Sequence, residues 1–268
     1  LPLEKGESIS AVIATKDFPA EEFLMFATAQ GNVKKTSMDQ YDRTRRDGLI
    51  AINLKDGDEL ISVKRVAKGE KVIMVSSAGK AILWDESEAR AMRRAPMGVR
   101  GMNVPADAHV LGMEIAKPGT DLFVITEKGY GKRTKIEEYP EHHRGGQGVY
   151  TITMTHKKGL LSVMKIVGPD DEIMIVSEDG VIVRTPVKGI SELGRSTQGV
   201  KVMNVADKDK VCAVAIASTG KKKAKKAAPA DENQMGLLEE ESEEGTLAID
   251  DLDDLDDDLG DEGEATEE

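Results

Sequence analysis

The chain has 268 residues, a net charge of −12, 3% aromatic residues and one cysteine, Cys212. A single cysteine excludes a disulfide framework and a cysteine metal cluster, and no run of eighteen apolar residues is present to cross a membrane as a helix. The charge is unevenly placed: residues 1–210 hold 32 Lys plus Arg against 30 Asp plus Glu, whereas 211–268 hold 5 against 19. The body is therefore slightly basic and the C-terminal stretch strongly acidic. No signal peptide is visible, and a cytoplasmic location is the default expectation. The chain enters a repeat almost at Leu1 without an initiator Met, which points to a piece of a longer polypeptide.

Four segments align: FLMFATAQGNVKKT (23–36), KVIMVSSAGKAILW (71–84), DLFVITEKGYGKRT (121–134) and EIMIVSEDGVIVRT (172–185). Their turn glycines, Gly31, Gly79, Gly129 and Gly180, are spaced 48, 50 and 51 apart. A second set, Gly48, Gly98, Gly148 and Gly199, is spaced 50, 50 and 51. Two markers keeping one period near fifty point to a propeller-like array of repeats. The expected repeats are 7–57, 58–107, 108–158 and 159–208, with an extra strand at 210–218, so that 1–218 forms the array.

Each repeat reads as four short strands. The first is Ile9-Ser10-Ala11-Val12-Ile13, Leu60-Ile61-Ser62-Val63, Val110-Leu111-Gly112-Met113 or Leu160-Leu161-Ser162-Val163-Met164. The second ends just before the turn glycine and the third starts just after it, so the pair predicts a hairpin. The fourth follows the second glycine: Leu49-Ile50-Ala51-Ile52, Val99-Arg100-Gly101-Met102, Val149-Tyr150-Thr151-Ile152 and Val200-Lys201-Val202-Met203. Runs of this length, rich in Val and Ile, are too short for ordinary helices. The second runs are almost wholly apolar and are expected to be covered on both faces. Polar stretches such as 85–92 have room for one helical turn. A fifth first-strand run, Val211-Cys212-Ala213-Val214-Ala215, is either a remnant or closes the last unit, and Cys212 within it is expected to be a buried, inert thiol. The fold class is all-β.

Residues 219–268 form a basic-then-acidic tail, with Lys221-Lys222-Lys223-Ala224-Lys225-Lys226 followed from Asp231 by Asp and Glu. Such composition does not supply a packed core, and disorder is expected. The sharper expectation is a polyanion that competes with nucleic acid for the body; the blander one is a solubilising tail.

Catalysis finds little support. His109, His142, His143 and His156 lack partners at metal-site or triad spacing, and Gly129-Tyr130-Gly131 leads into a strand rather than a helix, so it is no phosphate loop. The basic residues are better ordered. Four positions past each turn glycine stand Lys35, Leu83, Arg133 and Arg184, with Lys34 and Lys132 adjoining. Before each second glycine stand Arg43, Arg45 and Arg46, then Arg93 and Arg94, then His142, His143 and Arg144, then Arg195; Arg100 follows Gly98. Recurrence in phase predicts a belt of positive charge that touches nucleic-acid backbone.

The stretch His142-His143-Arg144-Gly145-Gly146-Gln147-Gly148 resembles Q-R-R-G-G-K-G, the box of the C-terminal domain of the DNA gyrase A subunit. Arg144, Gly145, Gly146 and Gly148 match; His142, His143 and Gln147 depart. Gly31-Asn32-Val33-Lys34-Lys35-Thr36, Asp56-Gly57-Asp58-Glu59-Leu60-Ile61, Gly98-Val99-Arg100-Gly101, Gly129-Tyr130-Gly131-Lys132-Arg133-Thr134 and Thr197-Gln198-Gly199-Val200 extend the resemblance over essentially 1–218. It implies a six-bladed β-pinwheel that wraps double-stranded DNA around its basic perimeter, within an ATP-dependent type IIA topoisomerase that introduces negative supercoils. Only what looks like the last four blades is present, without the intact box or the cleavage core. Tyr41, Tyr130, Tyr139 and Tyr150 match nothing of the nucleophile's motif, so no catalytic residue is assigned. The implied partners are DNA, the gyrase B subunit, and a second gyrase A subunit in a heterotetramer. The segment itself is expected to bind no cofactor, ATP and Mg²⁺ being implied for other domains. The alternatives are the related domain of the topoisomerase IV A subunit, which lacks a proper box and wraps poorly, and a propeller-like protein-interaction scaffold.

Overall fold

The computed structural model describes residues 3, 9–42 and 48–217. Arg43, Arg45 and Arg46, and the tail with its basic and acidic runs, lie outside the described residues. The chain divides into two units, Leu1–Lys221 and Lys222–Glu268, and every strand described below belongs to the first. That unit is built from strands and single 3-10 turns, the turn at Glu86–Glu88 falling in the polar stretch expected to hold one.

The first hairpin is β1 (Phe23–Thr28) and β2 (Asn32–Ser37). The second repeat follows as β3 (Leu60–Val66), the hairpin β4 (Lys71–Ser76) and β5 (Lys80–Asp85), and the two-residue β6 (Val99–Arg100). The third is β7 (Val110–Ala116), β8 (Asp121–Thr126), β9 (Tyr130–Lys135) and β10 (Val149–Tyr150). The fourth is β11 (Leu161–Val167), β12 (Glu172–Ser177), β13 (Ile182–Pro186) and β14 (Val200–Lys201), and β15 (Val211–Ala217) comes last. Each hairpin turns at a glycine of positive φ, between 76° and 85°, a conformation that glycine reaches at no steric cost.

The sheets do not coincide with the sequence repeats. Each hairpin takes the first strand of the next repeat on one side and the next repeat's two-residue strand on the other, giving the orders β3-β1-β2-β6, β7-β4-β5-β10 and β11-β8-β9-β14. The last sheet is β15-β12-β13, so the fifth run closes it by pairing with β12. All pairings are antiparallel. This interlock explains why the first repeat's first and fourth runs form no strand. By the rule the others follow, their hairpin would stand one repeat before Phe23, where the described residues hold none. Ile50 is consequently 70% exposed.

Packing follows the alternation along the hairpins. On β4, Val72 and Met74 join a core with Met25, Val33 and Trp84, while Ile73 and Val75 join the next core with Leu122 and Val124. On β8, Phe123 and Ile125 pack with Ile173 and Ile175 of β12. A strand buried on both faces must be apolar at every position, which is what the second runs show. β12 is the exception: Ile173 and Ile175 are buried, but Met174 and Val176 are only half-buried, because no further sheet follows among the described residues. The strands β3, β7, β11 and β15 form the inner edges and face one another. Ser62 donates to the Met113 carbonyl (3.1 Å) and Ser162 to the Val211 carbonyl (2.6 Å). Glu114 takes Lys64 at 2.7 Å and Lys165 at 3.2 Å. The two-residue strands therefore lie on the outer edges.

Cys212 corrects the sequence reading. It is exposed, its thiol 3.5 Å from the Val176 carbonyl. The equivalent Leu111 and Ser162 are half-buried because the next inner strand packs on that side of theirs, whereas β15, which packs against β11, has no further inner strand beyond it among the described residues.

Candidate nucleic-acid interface

Three loops, one before each two-residue strand, occupy equivalent places. Each is laid on the third strand of the preceding repeat by the same bonds: Met92 N–H to the Lys35 carbonyl (2.8 Å), His142 to Leu83 (2.8 Å) and Leu193 to Arg133 (2.9 Å). Parallel bridges Lys35–Ala91, Leu83–Glu141 and Arg133–Glu192 repeat the arrangement. The loops carry Arg93 and Arg94, then His143 and Arg144, then Arg195. Repetition in sequence thus becomes repetition along the outer edge of successive sheets.

The lysines beside the turn glycines do not belong to that edge as solvent-facing groups. Lys34 and Lys132 are fully buried. The Lys34 ammonium donates to the carbonyls of Ala51 and Arg94. Lys132 donates to the carbonyls of Gly194 (2.5 Å) and Arg195 (2.8 Å) and to the Thr197 hydroxyl (3.0 Å). Each lysine pins the loop that presents Arg94 or Arg195, and Ile82 takes the same position under Gly146 in between. The ammoniums of these two lysines are engaged with the loops. Buried charge needs such partners to offset the loss of water.

Burial pushes both ammoniums down to about 8, with the Arg94 guanidinium adding to the effect at Lys34; at Lys132, Glu138 opposes the burial and Arg195 adds to it. An unfolded lysine keeps its proton up to about 10.5. Between those values the unfolded chain binds more protons, so raising the pH favours the fold. The Lys34→Met/Lys132→Met variant should lack this gain. The urea midpoint of the native chain, measured relative to the variant, should rise between pH 8 and 10; a difference that stays flat would show that the lysines are not held deprotonation-prone by burial.

The residues four past each turn glycine are also engaged within the fold. Lys35 is 6% exposed and ion-paired with Glu86 at 2.5 Å. Arg133 bonds Asp121 (2.5 Å), Glu192 (2.8 Å) and the Ile190 carbonyl (2.9 Å). Arg184 pairs with Glu172 across the last hairpin. These three are not available as an uncompensated belt, contrary to the sequence reading.

What remains on the outer edge is a strip. Arg93 and Arg100 are exposed, Arg94 and Arg195 half-exposed, and none of the four forms an ion pair among the described residues. His143 is almost wholly exposed and pairs Nδ1 with Glu88 at 2.9 Å. Arg144 links the strip: its guanidinium donates to the carbonyls of Glu88 (2.9 Å) and Arg100 (3.0 Å). The two-residue strands add groups that sequence reasoning missed. Lys80 lies over the Tyr150 ring at 5.2 Å, and Lys158 and Lys201 each lie 4.9 Å from the Tyr130 ring. Cation–π contact of this kind fixes an ammonium without neutralising it. The signal was cross-strand pairing, Lys80 opposite Tyr150 and Tyr130 opposite Lys201, which is visible only once the interlock is known. Among the described residues no group of three His, Cys, Asp or Glu is placed to hold a metal.

Comparison with known proteins adds to this geometry. The family model for the DNA gyrase C-terminal domain, beta-propeller, matches residues 22–67, 70–117, 120–156 and 171–218. The chain is 39% identical over 211 residues to the DNA gyrase A subunit of Salmonella typhimurium, covering 79% of this chain and 24% of that one. It spans about a quarter of the length of such relatives. Among solved structures it is similar to a DNA gyrase A C-terminal domain (TM-score 0.68, 30% identity, 75% of this chain and 68% of that one). It is similar as well to the C-terminal domain of a DNA topoisomerase IV (TM-score 0.75, 25% identity, 80% of this chain and 68% of that one).

Proposed function

Because the chain belongs to the DNA gyrase C-terminal domain family, we propose that it is the part of a gyrase A subunit that binds and wraps double-stranded DNA. The observation that carries this reading is the strip formed by Arg93, Arg94, Arg100, Arg195, Lys80, Lys158 and Lys201 on the outer edges of successive sheets. Charges spaced along an edge neutralise phosphates without reading bases, and a wrap requires deformable DNA more than a fixed sequence. In this reading the segment contributes no catalytic group. The ATP and Mg²⁺ of the holoenzyme act in other domains, the gyrase B subunit with a second gyrase A subunit completes the assembly, and the setting is the cytoplasm. Arg43, Arg45 and Arg46 extend the strip in sequence.

A second reading, the topoisomerase IV A subunit, has the higher TM-score in its favour, although the identities favour gyrase. Ligation of nicked plasmid with the chain bound separates the readings. A shift in linking number is expected from a wrapping domain. Binding without a shift fits the topoisomerase IV reading, and no duplex binding would leave a protein-interaction scaffold.

The tail enters the same reading. Residues 231–268 hold 19 acidic groups and no basic ones, and the linker keeps them at high local concentration near the body. Removing 231–268 is expected to tighten duplex binding at low salt, with a gain that shrinks as salt screens the competition. Titration of both chains at two salt concentrations checks this; equal affinity at low salt would reduce the tail to a solubilising role.

A further inference from the structure

The four tyrosines fall into two kinds. Tyr139 is buried, and its hydroxyl bonds the Thr151 hydroxyl at 2.5 Å. Tyr41 sets its ring 6.3 Å from that of Phe26 and buries its hydroxyl. These two have a place in the packing. Tyr130 and Tyr150 belong to none of the three cores. Tyr150 is 57% exposed and Tyr130 half-exposed, and neither hydroxyl bonds another group among the described residues.

Both stand where a two-residue strand closes a sheet. Tyr150 of β10 lies opposite Lys80 of β5, and Tyr130 of β9 lies opposite Lys201 of β14. The same cross-strand place in the first sheet holds Asn32 opposite Arg100. Each of these edges thus pairs one cation with one uncharged polar side chain. Asn32 is buried and its amide donates to Asp58 at 3.3 Å, so it is engaged within the fold. The two tyrosine hydroxyls are not.

The lysines around these rings are held in place without losing their charge. Lys80 lies over the Tyr150 ring and donates to the Gln147 side-chain carbonyl at 2.9 Å. Lys158 and Lys201 both lie 4.9 Å from the centre of the Tyr130 ring, and Lys158 donates as well to the carbonyls of Gln198 (3.1 Å) and Gly199 (3.3 Å). A ring face attracts an ammonium but supplies no counter-charge. The phenol oxygen belongs to the ring on which the ammonium sits, so one phosphodiester can accept from both.

Resting on the DNA-binding reading above, we propose that Tyr130 and Tyr150 are phosphate-contact residues. Each hydroxyl donates to the same backbone phosphate that its neighbouring lysines neutralise, one on each of two successive sheets. Tyrosine hydroxyls are among the uncharged donors that proteins direct at DNA phosphates. Their part differs from that of the cations. Charge attracts a phosphate from several directions, whereas a hydrogen bond weakens steeply off its axis. The two tyrosines therefore fix where the DNA backbone sits on the outer edge, and the lysines supply most of the attraction.

A neutral donor and a cation leave different marks on salt dependence. Losing a cation lowers the slope by about one for each phosphate no longer neutralised, whereas losing a hydroxyl releases no counterion and leaves the slope alone. Tyr130→Phe with Tyr150→Phe in the full chain keeps both rings and the lysines on them. Duplex affinity should fall about tenfold, a few-fold for each hydrogen bond, at every salt concentration and with the native slope. Native affinity would overturn the proposal, leaving the rings as seats for the lysines; a reduced slope would overturn it too, since the cations would then have moved. Nitration by tetranitromethane gives a second readout. In the free chain Tyr150 and Tyr130 should react ahead of the buried Tyr139, and saturating duplex should protect both. Full binding with unprotected tyrosines would remove this assignment alone, whereas a native chain that binds no duplex would overturn the DNA-binding reading and this assignment with it.

Discussion

Gly148→Val should destabilise the body by about 3 kcal/mol or more, among the largest effects expected of one substitution here. Gly148 has φ of +71°, and a Cβ there would lie 2.2 Å from the Ala81 carbonyl oxygen and 2.6 Å from its carbon. Neither partner is a flexible side chain, so β10 must leave β5. With it would go the bonds that bring Thr151 and Ile152 to Gly79, and the burial of Ile152 in the core between the second and third sheets. Gly57→Ala supplies the control: its φ is +70° but nothing lies within 4 Å, so only the left-handed backbone cost of about 1 kcal/mol applies. Urea unfolding of both variants checks the contrast. Equal losses would show that positive φ, and not the interlock of repeats, limits these glycines.

Replacing Arg93, Arg100, Arg195 and Lys201 together by Ala should lower duplex affinity by about 100-fold or more at low salt and reduce the salt slope by about 3 to 4, near one unit for each phosphate no longer neutralised. These four are chosen because none forms an ion pair among the described residues and each lies on the outer edge. Arg144 is left out, since its guanidinium ties the Glu88 and Arg100 carbonyls together and removing it would disturb the loops themselves. The weakening should be uniform across unrelated duplexes. Thermal unfolding should stay near that of the native chain, because the substitutions leave the buried cores intact. A loss confined to one sequence, or no loss at all, would remove the strip from the interface.

The hairpins, their glycines and the all-β class were legible because burial on both faces demands apolar runs and a tight turn demands glycine. The interlock was not. A period of fifty is the same whether a repeat folds on itself or lends two strands to its neighbour. That ambiguity hid the partners of Lys80, Lys201 and Tyr130. The burial of Lys34 and Lys132 was half-legible, for their repeat position holds Ile82 and Val183 elsewhere, an inward-facing position that lysine occupies by donating to loop carbonyls. The charges of Lys35, Arg133 and Arg184 were read as a belt because their partners come from other segments of the chain: Glu86, in a 3-10 turn, lies 51 residues from Lys35 and Glu192, in a loop, lies 59 from Arg133. For Cys212, an apolar run was read as burial, but β15 is an inner strand with no successor.

In the proposed reading the outer edge of this unit holds DNA by its backbone. The salt dependence of the chain's affinity for two duplexes of unrelated sequence tests it most directly. The expected result is a steep, linear fall of log affinity with log salt, of several units and equal for both duplexes. Affinity that is insensitive to salt, or a slope that differs between the two sequences, would contradict it.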